Sequence, residues 1–267
     1  MLTNMRFSGI ISFKYRIFIL YLEFIIKERD MRKDYQKGFT LAEILITLGI
    51  IGVVAALSIP SLINKINEIQ TVSRVKKFYS TMNQTIKLAV EESGEDVLTW
   101  AEQASKSSGG SNWQGATYES GYRLWSKLAP YLKVANVCTK SESAGSSPIC
   151  GGNFYYRVYS LSDSSRRVGQ YGADYGIRII MNDGSSFFLR TNGNCNTTSN
   201  DVCGAFWYDT NGFNKQPNVY GKDVFIFALL SDNRLRPDDG NSCTKHDTGA
   251  SCSQHIIKYG NMKYPNY

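Results

Sequence analysis

Residues 37–60 read KGFTLAEILITLGIIGVVAALSIP, and the order of polar and apolar positions in that stretch decides how the rest of the chain is organised. From Phe39 to Ile59 the only ionisable side chain is Glu43. A run of about 20 apolar residues is what a helix needs to cross a bilayer core. Arg32, Lys33 and Lys37 stand just before it, and such positive flanks hold the N-terminus in the cytoplasm and export the C-terminal remainder. A secretory signal would carry its small-residue cleavage site after a shorter apolar core. Here the small residue, Gly38, lies at the polar-to-apolar junction, with the aromatic Phe39 next to it. No cysteine precedes Cys138, which removes a lipoprotein signal.

Glu43 is the informative residue. A carboxylate near the start of an apolar helix costs a few kcal/mol in a membrane and usually marks function. It needs a cation, and a cut after Gly38 makes one, the new α-amino group of Phe39. The geometry suits the amine of a neighbouring copy better than that of the same helix. Such a pair neutralises both charges and fixes the axial register between copies. The plainer alternative is a signal anchor in which Glu43 is incidental.

The pattern K-G-F-T-L-x-E followed by an apolar run ending at Ser58-Ile59-Pro60 resembles the class III signal of type IV pilins and type II secretion pseudopilins. The resemblance covers about two dozen residues. It implies cleavage between Gly38 and Phe39 by a prepilin peptidase/methyltransferase, N-methylation of Phe39, and a role for Glu43 in docking subunits. Pro60 matches the family's helix-kink proline, and a proline there removes a backbone hydrogen bond and permits a bend or local melting. Implied with it are a structural, non-enzymatic subunit of a pilus-like or secretion fibre, and partners in other pilin-like subunits and an inner-membrane assembly platform. The precursor is then a single-span inner-membrane protein with a periplasmic or extracellular C-terminal domain. One departure is the leader: 38 residues with an apolar stretch of its own, Phe7 to Ile26, broken by Lys14, Arg16 and Glu23. MRKDYQKG, from Met31, has the length of a typical leader, so Met31 is the expected start and residues 1–30 an extension.

Beyond Pro60 the sequence turns amphipathic. Ile66, Ile69, Val72, Val75, Tyr79, Met82, Ile86 and Ala89 recur at three- and four-residue steps, with Lys and Glu between them. That spacing predicts one apolar stripe on a continuing helix over 61–94, docked on the C-terminal sheet and capped at Ser93-Gly94. The expected organisation is a leader (1–38), a membrane-spanning or filament-core helix (39–60), its amphipathic continuation (61–94) and an exported domain (95–267).

The exported part is rich in Gly, Ser, Asn and Tyr. Residues 105–121 read as a loop, Leu124–Val134 as a short helix bent at Pro130, and Ser141–Pro148 as a second loop. Strands are expected at Phe154–Ser160, Gly176–Met181, Ser185–Arg190, Gly204–Asp209 and Asp223–Leu230, with Asn182-Asp183-Gly184 a hairpin signal. The fold class is therefore α+β: a long N-terminal helix, membrane-spanning then amphipathic, packed on a mainly antiparallel sheet of four or five strands. All six cysteines, Cys138, Cys150, Cys195, Cys203, Cys243 and Cys252, lie in this part. An even set downstream of a membrane segment reads as disulfides in an oxidising compartment. Fifteen pairings are possible, and the nearest-neighbour set is favoured because each pair brackets turn-rich sequence.

Two constellations could hold metal. Asp209-Thr-Asn211-Gly212 with Asp223 places oxygen ligands in a calcium-like loop. It lacks a later bidentate glutamate, and turn structure accounts for the same residues. Cys243-x-x-His246 and Cys252-x-x-His255 have zinc-like spacing, against which a disulfide with two incidental histidines is the favoured reading. The histidines are the only two in the chain, both beside cysteines, so no Ser-His-Asp arrangement is expected. Of the net charge of +7, residues 1–38 supply +4. The basic balance leaves with the leader, and nucleic acid is not an expected partner. A minor tip subunit that captures DNA or a surface ligand is the alternative function.

Overall fold

In the computed structural model the described residues are 40–106, 118–142, 150, 155–172, 176–192, 195, 201–238, 240 and 243–266. The leader, the junction Gly38–Phe39, and nearly all of the loop expected at Ser141–Pro148 lie outside them. The chain divides into two compact units, 1–60 and 61–267. In the first, the described part is helical from Leu41 and its large apolar side chains are exposed, among them Leu45, Ile46, Ile51 and Val53. Helix α1 runs Leu41–Ser93 with Pro60 inside it. Its N-terminal part is long and apolar enough to cross a membrane.

In the second unit, α1 buries Val75, Phe78, Met82, Thr85, Ile86 and Ala89. Their three- and four-residue spacing places them on one face. The stripe expected from Ile66 begins later. Ile66 and Ile69 are 44% and 57% exposed, because no core side chain is packed against that turn; packing starts at Val72. Gly94 closes the helix with φ +67° and its N–H bonded to Val90 O at 3.0 Å. The positive φ is why a glycine stands there.

Two helices come next, α2 (Val97–Lys106) and α3 (Tyr118–Leu128), the latter running into a 3₁₀ turn at Ala129–Tyr131 around Pro130. Thus α3 starts and ends earlier than the helix expected at Leu124–Val134, and the expected loop at 105–121 is partly helical. Amphipathicity without a long apolar run made both ends hard to read.

The strands are β1 (Val134–Cys138), β2 (Tyr155–Tyr159), β3 (Arg167–Gly172), β4 (Ile177–Met181), β5 (Ser186–Thr191), β6 (Val202–Asp209), β7 (Asn218–Val219), β8 (Val224–Leu230) and β9 (Leu235–Pro237). They form two sheets rather than one of four or five strands. The larger has the order β1-β4-β5-β6-β8-β9 and is antiparallel throughout; the smaller is β3-β2-β7. The β4–β5 hairpin turns at Asn182-Asp183-Gly184, where Asp183 Oδ1 accepts the Ser185 N–H at 3.1 Å.

Alternation along the central strands explains three layers. Phe187, Leu189, Phe206, Tyr208, Phe225, Phe227 and Leu229 face α1, α2 and α3 in the main core. Phe188, Ala205, Trp207 and Val224 face the other way, against Tyr156, Val158 and Phe213 of the smaller sheet and its loops. A sheet covered on both sides needs apolar residues at every position, which is why β8 reads VFIFALL. Helix α4 (Cys252–Tyr259) adds Ile256 to the main core, and the tail after it is strapped down by Tyr264 Oη donating to Gly221 O at 2.6 Å.

Candidate functional site

The N-terminal device is built on the first turn of α1. Thr40 is the cap: its carbonyl accepts the Ile44 N–H at 3.2 Å, and its hydroxyl oxygen accepts the Glu43 N–H at 3.3 Å. Glu43 reaches back, its Oε2 accepting both the Thr40 N–H and the Thr40 hydroxyl at 2.9 Å. This reciprocal T-x-x-E arrangement satisfies donors that a helix start otherwise leaves open. It gives Glu43 a local role that membrane cost alone does not suggest. The signal for it in the sequence is the spacing Thr40–Glu43. A carboxylate in the first turn is also favoured by the helix dipole. Gly38 and Phe39 lie outside the described residues.

The second cluster lies where β6, β7 and β8 meet. Asp209, at the end of β6, is fully buried. Its Oδ2 accepts the Tyr156 hydroxyl at 2.9 Å, and its Oδ1 accepts the backbone N–H groups of Asn211 and Gly212 at 3.1 and 2.9 Å. Burial first, and then the neighbouring Asp223, push its carboxyl up to about 7. Asp223 accepts the Val219 N–H at 2.6 Å and the Asn211 side-chain amide at 3.3 Å, and burial raises it to about 6. Asp209, Asn211 and Asp223 therefore come together, as a calcium loop would require. The donor set does not fit that ion. Asp209 is turned inward with both oxygens already accepting hydrogen bonds. The cavity that Asn211 and Asp223 line is edged by Arg74, Lys215 and Lys222. A hard dication wants six to eight oxygens and no cationic rim.

Across the smaller sheet, Arg178 is buried and donates to Cys150 O and Tyr171 O, each at 3.0 Å, with its guanidinium 5.9 Å from the Phe213 ring centre. Burial lowers it to about 10. It ties β4 to β3 and to the disulfide between Cys138 and Cys150. The other disulfides join Cys195 to Cys203 and Cys243 to Cys252. With Cys243 and Cys252 joined, their thiolates are not open to zinc. His255 packs on Tyr259 and Tyr264 and shares a hydrogen bond with Asn261 Oδ1 at 3.3 Å. Among the described residues no group of three or more His, Cys, Asp or Glu is arranged to hold a metal.

Comparison with known families divides the chain at nearly the same place as the fold. Residues 61–267 match the profile described as a family of unknown function (DUF6613). The chain belongs to that family. In this DUF6613 member, residues 33–59 match the prokaryotic N-terminal methylation motif, which is typical of type IV pilins and pseudopilins. That motif identifies a type IV pilin-like subunit of the kind processed by prepilin peptidase. With the long apolar helix it fits a membrane-anchored precursor. No curated protein and no solved structure matches the chain.

Proposed function

We propose that the chain is a structural subunit of a type IV pilus-like or type II secretion fibre, assembled through α1 after cleavage between Gly38 and Phe39. The observation that carries this reading is the methylation motif at 33–59 running directly into an exposed apolar helix that opens on Glu43. Cleavage leaves Phe39 as the first residue, one position before the Thr40 cap. Its ammonium, N-methylated by the same peptidase, meets Glu43 of the neighbouring copy when subunits leave the membrane for the filament. Pro60 is the position at which the helix can yield during that transfer. The exported domain then rides on the shaft, held to its own helix by the packing that starts at Val72.

The test is mass spectrometry of sheared fibres. A mature N-terminus at methylated Phe39 is expected. In a Gly38→Ser variant, unprocessed precursor accumulates in the membrane and no fibre forms. Intact assembly of Gly38→Ser would end the proposal. The ratio of this chain to other subunits in the fibre separates a shaft subunit from a tip subunit.

A further inference from the structure

Asn211-Gly212 lies on the connection between β6 and β7, just after the buried Asp209. The fold requires the glycine: Gly212 has φ +92°, and a Cβ on it would meet Gly184 O at 2.6 Å. It does not require the asparagine in the same way. The turn is held by Asp209, whose Oδ1 accepts the N–H groups of both Asn211 and Gly212. The Asn211 side chain is held at one end only, by a 3.3 Å bond from Nδ2 to Asp223 Oδ2. Its Oδ1 is buried and accepts no hydrogen bond among the described residues, a cost that an asparagine placed for structure alone would not carry.

With no side chain on the residue that follows, an asparagine before glycine is open to attack on its own Cγ by the next backbone nitrogen. Both proton transfers in that reaction have a carboxyl group in place here. Asp209 Oδ1 stands 2.9 Å from the attacking Gly212 N, and Asp223 Oδ2 stands 3.3 Å from the departing Nδ2. We propose that Asn211 is a self-modifying site, converted to aspartate or isoaspartate by the Asp209–Asp223 pair. Asp209 takes the Gly212 N–H proton, and the nitrogen electron pair forms a bond to Asn211 Cγ while the carbonyl pair moves onto Oδ1. As that pair returns, the Cγ–Nδ2 bond breaks, and Nδ2 leaves as ammonia with a proton from Asp223. The pair thus starts with its proton on Asp223 and ends with it on Asp209. The cyclic imide then adds water and opens at either carbonyl, so the sum is amide plus water to acid plus ammonia.

The cavity around Asn211 suits both the oxyanion and the product. Arg74, Lys215 and Lys222 line it, and Asp223 is the one acid among its lining residues. A second carboxylate there meets an excess of positive charge. The groups facing the pair are Tyr156 of β2 with Arg178 behind it, Tyr208 of β6, and these three cations. None has an ordinary titration range between about pH 5 and 8. Burial raises Asp209 to about 7 and Asp223 to about 6, so between those values the pair carries one proton. The chain's other Asn-Gly pair is Asn192-Gly193. Asn192 is buried and donates from Nδ2 to Val202 O and from its N–H to Cys203 O, each at 2.8 Å; neither acceptor is a carboxyl group. None of this rests on the fibre reading, since a chain that never assembles carries the same loop.

The full chain in neutral maltoside micelles is incubated at a series of values from about pH 5 to about pH 8. Peptide mapping by mass spectrometry reads the amide-to-acid mass gain at Asn211 and Asn192. Asn211 in the folded chain should convert at least about tenfold faster than Asn192, and at least about tenfold faster than Asn211 in the urea-unfolded chain. Its rate should peak between about pH 6 and 7, whereas the unfolded chain's rate climbs throughout. Asp209→Asn, which keeps acceptors for the two N–H groups, should slow Asn211 at least about tenfold and abolish the peak, with Asn192 unchanged. Amide exchange in β6 and β8 checks that this variant is folded; if it is not, the wild-type pH profile and the folded-to-unfolded ratio decide. A folded rate no higher than the unfolded one, a profile that only climbs, or a folded Asp209→Asn chain that converts at the wild-type rate overturns the inference.

Discussion

Glu43 and Thr40 bond each other in both directions: the Glu43 N–H donates to the Thr40 hydroxyl oxygen, and Glu43 Oε2 accepts the Thr40 N–H and hydroxyl. One carboxylate thus closes the start of its own helix and, in the proposed fibre, neutralises a neighbour's amine. The two roles are compatible, since a carboxylate offers more than one lone pair to each oxygen. They are also separable, because glutamine closes a capping box without charge.

Glu43→Gln and Glu43→Ala should both be cleaved and methylated normally. If charge pairing drives docking, neither forms fibres, although the glutamine helix keeps its cap. Fibre yield in sheared fractions, beside the level of mature chain in membranes, reads this directly. Wild-type fibre yield from Glu43→Gln, with loss only in Glu43→Ala, would assign the residue to capping alone.

How much of the molecule is legible in its sequence varies with the physics of each element. The apolar first part of α1 is plain because a run of about 20 apolar residues has few alternatives, and the β4–β5 hairpin is plain because Asn-Asp-Gly suits only a tight turn. The smaller sheet is not, although VFIFALL in β8 shows no polar alternation and so demands cover on both faces. Strands β7 and β9, of two and three residues, are too short to leave a periodic signal. Helix α4 is masked because Cys252 and His255 invite a metal reading, while Gly260, its left-handed C-cap at φ +66°, stands eight residues on. At Ile66 and Ile69 the apolar period is real but its cover is not. Periodicity identifies a face without saying how far the partner extends.

Phe78 is the main pin between α1 and the larger sheet. Its ring stacks on Tyr208 at 4.1 Å and 11° and contacts Phe187, Phe206 and Phe227. Phe78→Ala should destabilise the second unit, 61–267, by about 3–5 kcal/mol, read as a lower urea midpoint in the fluorescence of its buried tryptophans. Ile69→Ala, on the same helix but 57% exposed, should change that midpoint by less than about 0.5 kcal/mol. Equal effects at the two positions would contradict the packing described.

Arg178 carries a buried charge and donates to two backbone carbonyls, those of Cys150 and Tyr171. Arg178→Met preserves much of the volume but strips both carbonyls of a donor, at about 1–3 kcal/mol for each buried group left unsatisfied. Arg178→Lys should recover little, because one ammonium on a flexible stem cannot reproduce a fork that reaches both β3 and the disulfide-bonded turn at Cys150. Faster amide exchange in β2 and β3, with β6 and β8 unchanged, is the expected signature. Uniform loosening of both sheets would show that Arg178 serves the whole core instead.

Asp209 makes the folded state pH-dependent in a definite direction. Its carboxyl titrates near 7 when folded, against an ordinary value of 3.8, because burial disfavours the charged form. Between those values the folded chain holds a proton that the unfolded chain has released, so stability falls as pH rises. The contribution is complete below about 4, declines through pH 4–7 and is gone above that. Asp223, raised to about 6 for the same reason, adds to the slope. Carboxylates held below their ordinary range, such as Asp96 and Asp183, act in the opposite sense but finish titrating below about pH 4. Urea midpoints should therefore drop by the equivalent of a few kcal/mol between pH 5 and pH 8. Asp209→Asn, which keeps acceptors for the Asn211 and Gly212 N–H groups, should remove most of that drop and leave the variant the more stable form at pH 8. A wild-type midpoint that is flat or rising across this range would mean that Asp209 stays ionised beside Tyr156, its accepted hydrogen bonds outweighing its burial.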